Sequence, residues 1–136
     1  RRLAKLAPTA FGEGNRLFTE FKGALTENFV LQTLITQFEV VPRYWTQTNP
    51  PYEVDFLIQR ENDIFPVEVK SEANTSGRSL KKFKELFPDK VKLRVRFSMD
   101  NLKLDDDVLN IPLFMADQAD RLIGMALEKR GGVAFF

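Results

Sequence analysis

The chain has 136 residues, 43% of them hydrophobic, which supports one domain with a single sizeable core and is too short for two. Twenty Lys and Arg against nineteen Asp and Glu leave a net charge of +1, so only the local distribution of charge can speak about nucleic acid. With no cysteine and no histidine, disulfides, structural zinc, a thiol nucleophile and imidazole acid-base chemistry are excluded, and any metal must be held by oxygen.

No apolar run approaches the length of a membrane span and no secretory pattern opens the chain, so a soluble, cytoplasmic protein with no membrane partner is expected. Arg1-Arg2 stand where an initiator Met would, which suggests a fragment of something longer. Without a Gly-x-x-x-x-Gly-Lys-Ser/Thr phosphate loop, this piece is not expected to hydrolyse ATP. Residues 1–15, interrupted by Pro8, Gly12 and Gly14, read as a linker or the remnant of a preceding segment. Residues 16–130 read as the domain, and 131–136 as an apolar C-terminal tail after Gly131-Gly132.

A long amphipathic helix is predicted from Asn15 to about Gln37, with Leu17, Phe18, Phe21, Leu25, Phe29 and Ile35 recurring at helical spacing. Along its flank run Ala24, Glu27, Leu31, Leu34 and Phe38. Glu27 is the odd member of that series: beside Leu31 and Leu34 it either meets a partner, proton or cation, or sits at the margin of the apolar arc and reaches water. Val40-Val41-Pro42 and a strand from Arg43 to Gln47 follow, then the breaker Thr48-Asn49-Pro50-Pro51.

The next strand, Tyr52 to Arg60, alternates: Val54, Phe56 and Ile58 face one way, Glu53, Asp55 and Leu57 the other. After a short polar connector, Ile64 to Lys70 returns as a hairpin, with Phe65, Val67 and Val69 on one side and Glu68 and Lys70 on the other. A one-residue slip flips every side chain, so a shared apolar face requires an even loop, and the same parity puts Asp55 with Glu68 and Lys70. A two-residue turn sets Asp55 opposite Glu68; a four-residue loop sets it opposite Lys70. Taken alone, Glu68-Val69-Lys70 is a half-buried strand with a solvated ion pair on its wet face. Carboxylates facing each other across a ladder repel unless a cation lies between them, and this is what points to a site.

A polar loop, Glu72 to Gly77, offers Thr75 or Ser76 as a helix cap. The helix from Arg78 to Phe87 turns Leu80, Phe83, Leu86 and Phe87 to the core, and the strand from Val91 to Phe97 alternates, with Lys92, Arg94 and Arg96 outward. Between Arg78 and Arg96 eight basic residues stand against two acidic ones, a local excess that either solubilises the surface or meets an anion. Asp105-Asp106-Asp107 reads as a solvated acidic loop whose spacing does not match a calcium loop. Val108 to Phe114 is a short apolar segment broken by Pro112, and Ala116 to Lys129 a closing helix.

Helix with Glu27, strand, strand with Asp55, strand with Glu68-Val69-Lys70, helix, strand: this order resembles the core of the PD-(D/E)XK, or restriction-endonuclease-like, superfamily. The resemblance implies an α/β fold with an α-β-β-β-α-β core, a mixed sheet of about four strands flanked by helices. More narrowly, Gly23 to Val30, Tyr44-Trp45, Glu53 to Ile58, Val67 to Lys70 and Arg78-Ser79-Leu80 resemble the domain of unknown function at the C-terminus of many prokaryotic AAA+ ATPases. That implies an N-terminal AAA+ portion in the same parent chain.

By this resemblance Asp55, Glu68, Lys70 and Glu27 would be catalytic. Asp55 and Glu68 would bind Mg²⁺ or Mn²⁺ with the Val69 carbonyl, and Glu27 would reach a second site or a bound water. Lys70 would orient or deprotonate the attacking water or stabilise the transition state. Arg78, Lys81, Lys82 and Lys84 would hold the phosphates of DNA. Val54 stands where the namesake proline of the family would be. The alternative is a module that binds nucleic acid or a partner protein for the ATPase without cutting.

Overall fold

The computed structural model describes residues 11–71 and 78–130. Among them the elements run α1 (Phe11–Leu34), β1 (Glu39–Trp45), β2 (Glu53–Arg60), β3 (Asp63–Val69), α2 (Arg78–Leu86), β4 (Arg94–Ser98), β5 (Lys103–Asp105), β6 (Val108–Pro112), a 3-10 helix (Leu113–Gln118) and α3 (Ala119–Arg130). The strands form one mixed sheet in the order β1-β2-β3-β4-β6-β5. It is antiparallel through β1, β2 and β3, parallel from β3 to β4 and from β4 to β6, and antiparallel at β5. An α/β fold with a mixed, open sheet is therefore present, with six strands where about four are expected.

The two additional strands, β5 and β6, pair as a hairpin whose turn holds Asp106 at φ 56°. Pro112 closes β6, opposite Ser98, where a missing N–H costs least. β5 is only three residues long, too short for alternation to mark it.

Registry of the central hairpin follows from its turn. Arg60 pairs with Asp63, leaving Glu61-Asn62 as a two-residue connection with Glu61 at φ 56°, the left-handed conformation such tight turns require. The ladder continues through Ile58 with Phe65 and Phe56 with Val67. Parallel pairing carries the same level onward: Val67 with Val95, and Val95 with Leu109. Hence Phe56, Ile58, Phe65, Val67, Val95, Phe97, Leu109 and Ile111 fill one buried layer, met by Val30 and Leu34 of α1 and Leu122, Ile123 and Ala126 of α3. At roughly 1.5–3 kcal/mol for each large apolar side chain, this layer is the main favourable term of the fold. A second cluster, Val54, Leu80, Phe83 and Val91, seats α2, with Tyr44 edge-on to Phe83 at 5.7 Å.

Several expectations are corrected. Helix α1 starts at Phe11 rather than Asn15. It is the flank with Val30 and Leu34 that is buried, whereas Phe21, Leu25, Phe29 and Ile35 are 50–59% exposed. The helix is apolar on two faces, and periodicity reveals a stripe without saying which one meets the sheet. β1 begins at Glu39 and includes Val40-Val41-Pro42, β4 begins at Arg94, and α3 begins at Ala119 after the 3-10 helix. Phe87, just past the end of α2, is 37% exposed rather than turned fully into the core, and its ring leans on Phe83. The linker residues 1–10, the caps Thr75 and Ser76, and the tail 131–136 lie outside the described residues.

Candidate functional site

Opposite the apolar layer, the sheet carries a polar row. Extending the β2–β3 ladder one step beyond Phe56 and Val67 brings Asp55 opposite Glu68. Glu68 pairs with Arg96, Arg96 with Asn110, and Asn110 with Lys103. On the other side Arg43 lies between the pairs Pro42 with Phe56 and Tyr44 with Val54, and so opposite Asp55. One level of the sheet thus reads Arg43, Asp55, Glu68, Arg96, Asn110, Lys103. The two-residue turn selects the first of the two registers that parity allows.

The acids in this row are tied down differently. Asp55 Oδ2 accepts the main-chain N–H of Val69 at 2.8 Å. Burial pushes the Asp55 carboxyl up; the charges of Glu27 and Glu68 add to this, the Val69 N–H and Lys70 oppose it, and the result is a value of about 6. Glu68 is buried, with Lys70 Nζ at 3.5 Å from Oε1 and Arg96 Nε at 3.5 Å from Oε2. Neither Glu68 Oε2 nor Arg96 Nε has a hydrogen-bond partner. Glu27, on α1, is near enough to Asp55 to raise its pKa, yet its Oε1 stands 3.6 Å from Arg43 Nη2, while Arg43 Nη1 lies 3.5 Å from Glu53 Oε2.

Asp55, Glu68, Lys70 and Glu27 are therefore brought into one electrostatic neighbourhood. The donor set suits a hard cation as a pair: Asp55 and Glu68 share a face, and Glu68 keeps a buried oxygen without a hydrogen bond. Among the described residues no group of three or more acids is arranged to hold a metal ion.

Of the basic residues, Lys81 is exposed, and Lys82 Nζ lies 5.8 Å from the centre of the Tyr52 ring. Lys84 is occupied inside the fold, donating to the Val91 carbonyl and standing 3.8 Å from Asp107 Oδ2. Arg78 opens α2, and its side chain lies outside the described set. The outward-reading Arg94 and Arg96 are both spent on acids, and Lys92 Nζ is 3.3 Å from Asp63.

Sequence reasoning missed two features here. Asp107, read as part of a solvated loop, is buried and bound by Arg94, whose Nη2 is 2.5 Å from Oδ1. Burial opposes its ionisation, but the Arg94 hydrogen bonds and the charges of Arg94, Lys84 and Arg130 prevail and hold the carboxyl below its usual value. Asn110 is a buried hub, accepting from Ser98 Oγ at 2.6 Å and donating to the carbonyls of Asp100 and Asn101 at 3.2 and 3.0 Å. Arg96 and Asn110 also line a cavity of about 500 Å³ with Leu102, Lys103 and Val108. No helix among the described residues is long and apolar enough to cross a membrane.

Residues 22–114 match the family described as "Domain of unknown function (DUF4143)". No curated protein matches the chain. Among solved structures, a chain of the Thermococcus gammatolerans assembly of McrB AAA+ hexamers with bound McrC is similar at a TM-score of 0.55 and 13% identity, over 79% of this chain. This chain spans 33% of the length of that one. A protein of unknown function, AF1548, is similar at a TM-score of 0.40 and 16% identity, over 81% of this chain and 68% of the other.

Proposed function

Because the chain belongs to the DUF4143 family, we propose that it is a PD-(D/E)XK-like domain of an AAA+ ATPase chain that works as a protein-binding module. The order of its elements and the acid and lysine positions support the superfamily reading. The narrower sequence resemblance supports an ATPase portion in the parent chain, and the similar fold within an assembly of AAA+ hexamers agrees with it.

The observation that carries the binding reading is that each acid of the candidate centre already has a partner within the fold. Arg43 meets Glu27, Lys70 and Arg96 meet Glu68, and the Val69 N–H meets Asp55. Lys84, Lys92, Arg94 and Arg96, four of the eight basic residues between Arg78 and Arg96, are paired with acids of the fold, which halves the local basic excess left for phosphates. Meanwhile Phe21, Leu25 and Phe29 on the exposed face of α1, with Ile35 just past its end, supply apolar surface suited to a protein partner.

A second reading, Mg²⁺-dependent DNA cleavage, is favoured by the raised Asp55 pKa and the unbonded Glu68 oxygen. In it Asp55 and Glu68 would hold the ion, which supplies charge neutralisation and a more acidic water, while Lys70 orients that water. Lys81 and Lys82 would remain for the nucleic acid. Incubating the whole ATPase with supercoiled plasmid, Mg²⁺ or Mn²⁺ and ATP separates the two. The binding reading expects no metal-dependent cutting; cutting that disappears in both Asp55→Ala and Lys70→Ala overturns it in favour of the nuclease.

A further inference from the structure

An arginine stands at each end of the acid pair in the cross-sheet row: Arg43 beside Asp55, and Arg96 beside Glu68. Neither makes an ordinary tight pair. Arg96 Nε and Glu68 Oε2 are 3.5 Å apart and both are without hydrogen-bond partners, although buried. Charges so placed attract one another but forgo the hydrogen bonds that normally compensate desolvation. The guanidinium fills the role of counter-ion without filling the coordination shell of the carboxylate, which leaves it open to replacement by a small ion that would.

Arg43 has a second peculiarity. It holds φ 53° in the middle of an edge strand, a conformation uncommon for a residue with a side chain. From there its guanidinium spans Glu27 and Glu53 at 3.6 and 3.5 Å, with the side chain 68% exposed. Glu27 is thereby engaged from the rim of the sheet rather than committed to the Asp55–Glu68 pair.

We propose that the acidic centre carries its own counter-ions, Arg96 for Glu68 and Arg43 for Glu27, and that these two arginines set its affinity for a divalent cation. This rests on the reading of Asp55 and Glu68 as a cation-binding pair. Removing either arginine unmasks negative charge that an added cation can then neutralise, Lys70 remaining as the internal partner of Glu68. Arg96 has the larger effect because it is the more buried and the less screened by solvent.

Titration of the chain with Mn²⁺, followed by the loss of the free-ion electron paramagnetic resonance signal and by calorimetry, tests this. Arg96→Met is expected to tighten Mn²⁺ binding tenfold or more over the wild type, and Arg43→Ala severalfold. Arg96→Lys, which keeps the charge, is expected to stay within threefold. Adding Asp55→Asn should abolish both gains. Circular dichroism checks folding, and if Arg96→Met does not fold, the exposed Arg43→Ala decides. Asp55-dependent binding in the wild type that neither arginine substitution strengthens overturns the counter-ion proposal and leaves the cation pair standing. No Mn²⁺ bound by any of these proteins overturns the pair and the proposal with it.

Discussion

The main-chain N–H of Val69 donates to the side chain of Asp55 across the β2–β3 hairpin, at 2.8 Å. A strand-to-strand bond of this kind gives Asp55 a structural duty besides its place among the acids, and its charge can be separated from its hydrogen bond by substitution.

Asp55→Asn keeps an acceptor for the Val69 N–H and removes the charge that burial, Glu27 and Glu68 oppose. Because the folded pKa of Asp55 is raised from 3.8 to about 6, the native state holds this proton more tightly than the unfolded chain does. Its relative contribution is best below pH 3.8, declines as pH rises, and is fully lost above 6. After allowance for its partial exposure, the Asn variant should be more stable than the wild type at pH 7 by about 1–2 kcal/mol. The difference should shrink toward zero near pH 4. Urea unfolding at pH 4, 5.5 and 7 checks this, and Asp55→Ala, which orphans the Val69 N–H, should lack the gain.

Asp107 has the opposite sign. Its carboxyl is held below the usual range, so the stability it supplies is present above that range and is lost as pH falls through the lowered folded value. Asp107→Asn leaves the partly buried Arg94 and Lys84 without their counter-charge and should destabilise by about 3 kcal/mol at pH 7. The variant should also lose part of the acid dependence of the wild type below pH 4. Thermal melts across pH 2.5–7 give both quantities.

Asn110→Ala removes the side chain that joins Ser98 to the Asp100–Asn101 turn. Several hydrogen bonds go at once in a buried place, and a cost of about 2–4 kcal/mol is expected. Asn110→Asp should not rescue, since a carboxylate cannot donate to the two carbonyls; equilibrium denaturation of both variants makes the comparison.

Phe21→Ser with Leu25→Ser alters side chains that are more than half exposed. Domain stability should stay within about 0.5–1 kcal/mol of the wild type. If this face docks a protein partner, limited proteolysis of the full ATPase should become faster around the domain while its melting midpoint alone is unchanged.

The hairpin and its facing were legible because alternation is a strong signal where one face of a strand is apolar: Val54, Phe56, Ile58, Phe65 and Val67 are all buried, as their spacing predicts. The company of Asp55, Glu68 and Lys70 followed from parity alone. What escaped was whatever depends on tertiary partners. Nothing local distinguishes Asp107, which an arginine from β4 buries, from Asp105 and Asp106, which stay exposed. Nor can periodicity choose between the Val30–Leu34 and Phe21–Leu25 faces of a helix apolar on both. β5 lacks the length to show a pattern, and the basic excess was visible while its internal acid partners were not.

The turn at Glu61-Asn62 has a consequence for how such a domain can change over generations. Any single acid in the row can be exchanged by one codon and the others keep their places. One inserted codon in the turn, however, unless a bulge absorbed it, would rotate all of β3 by half a revolution relative to β2, moving Glu68 toward the apolar layer and Val67 into the polar row. In an unbulged hairpin, length variation here is therefore admissible only in steps of two, and an odd change in the spacing between Asp55 and Glu68 should come with a bulge beside the turn.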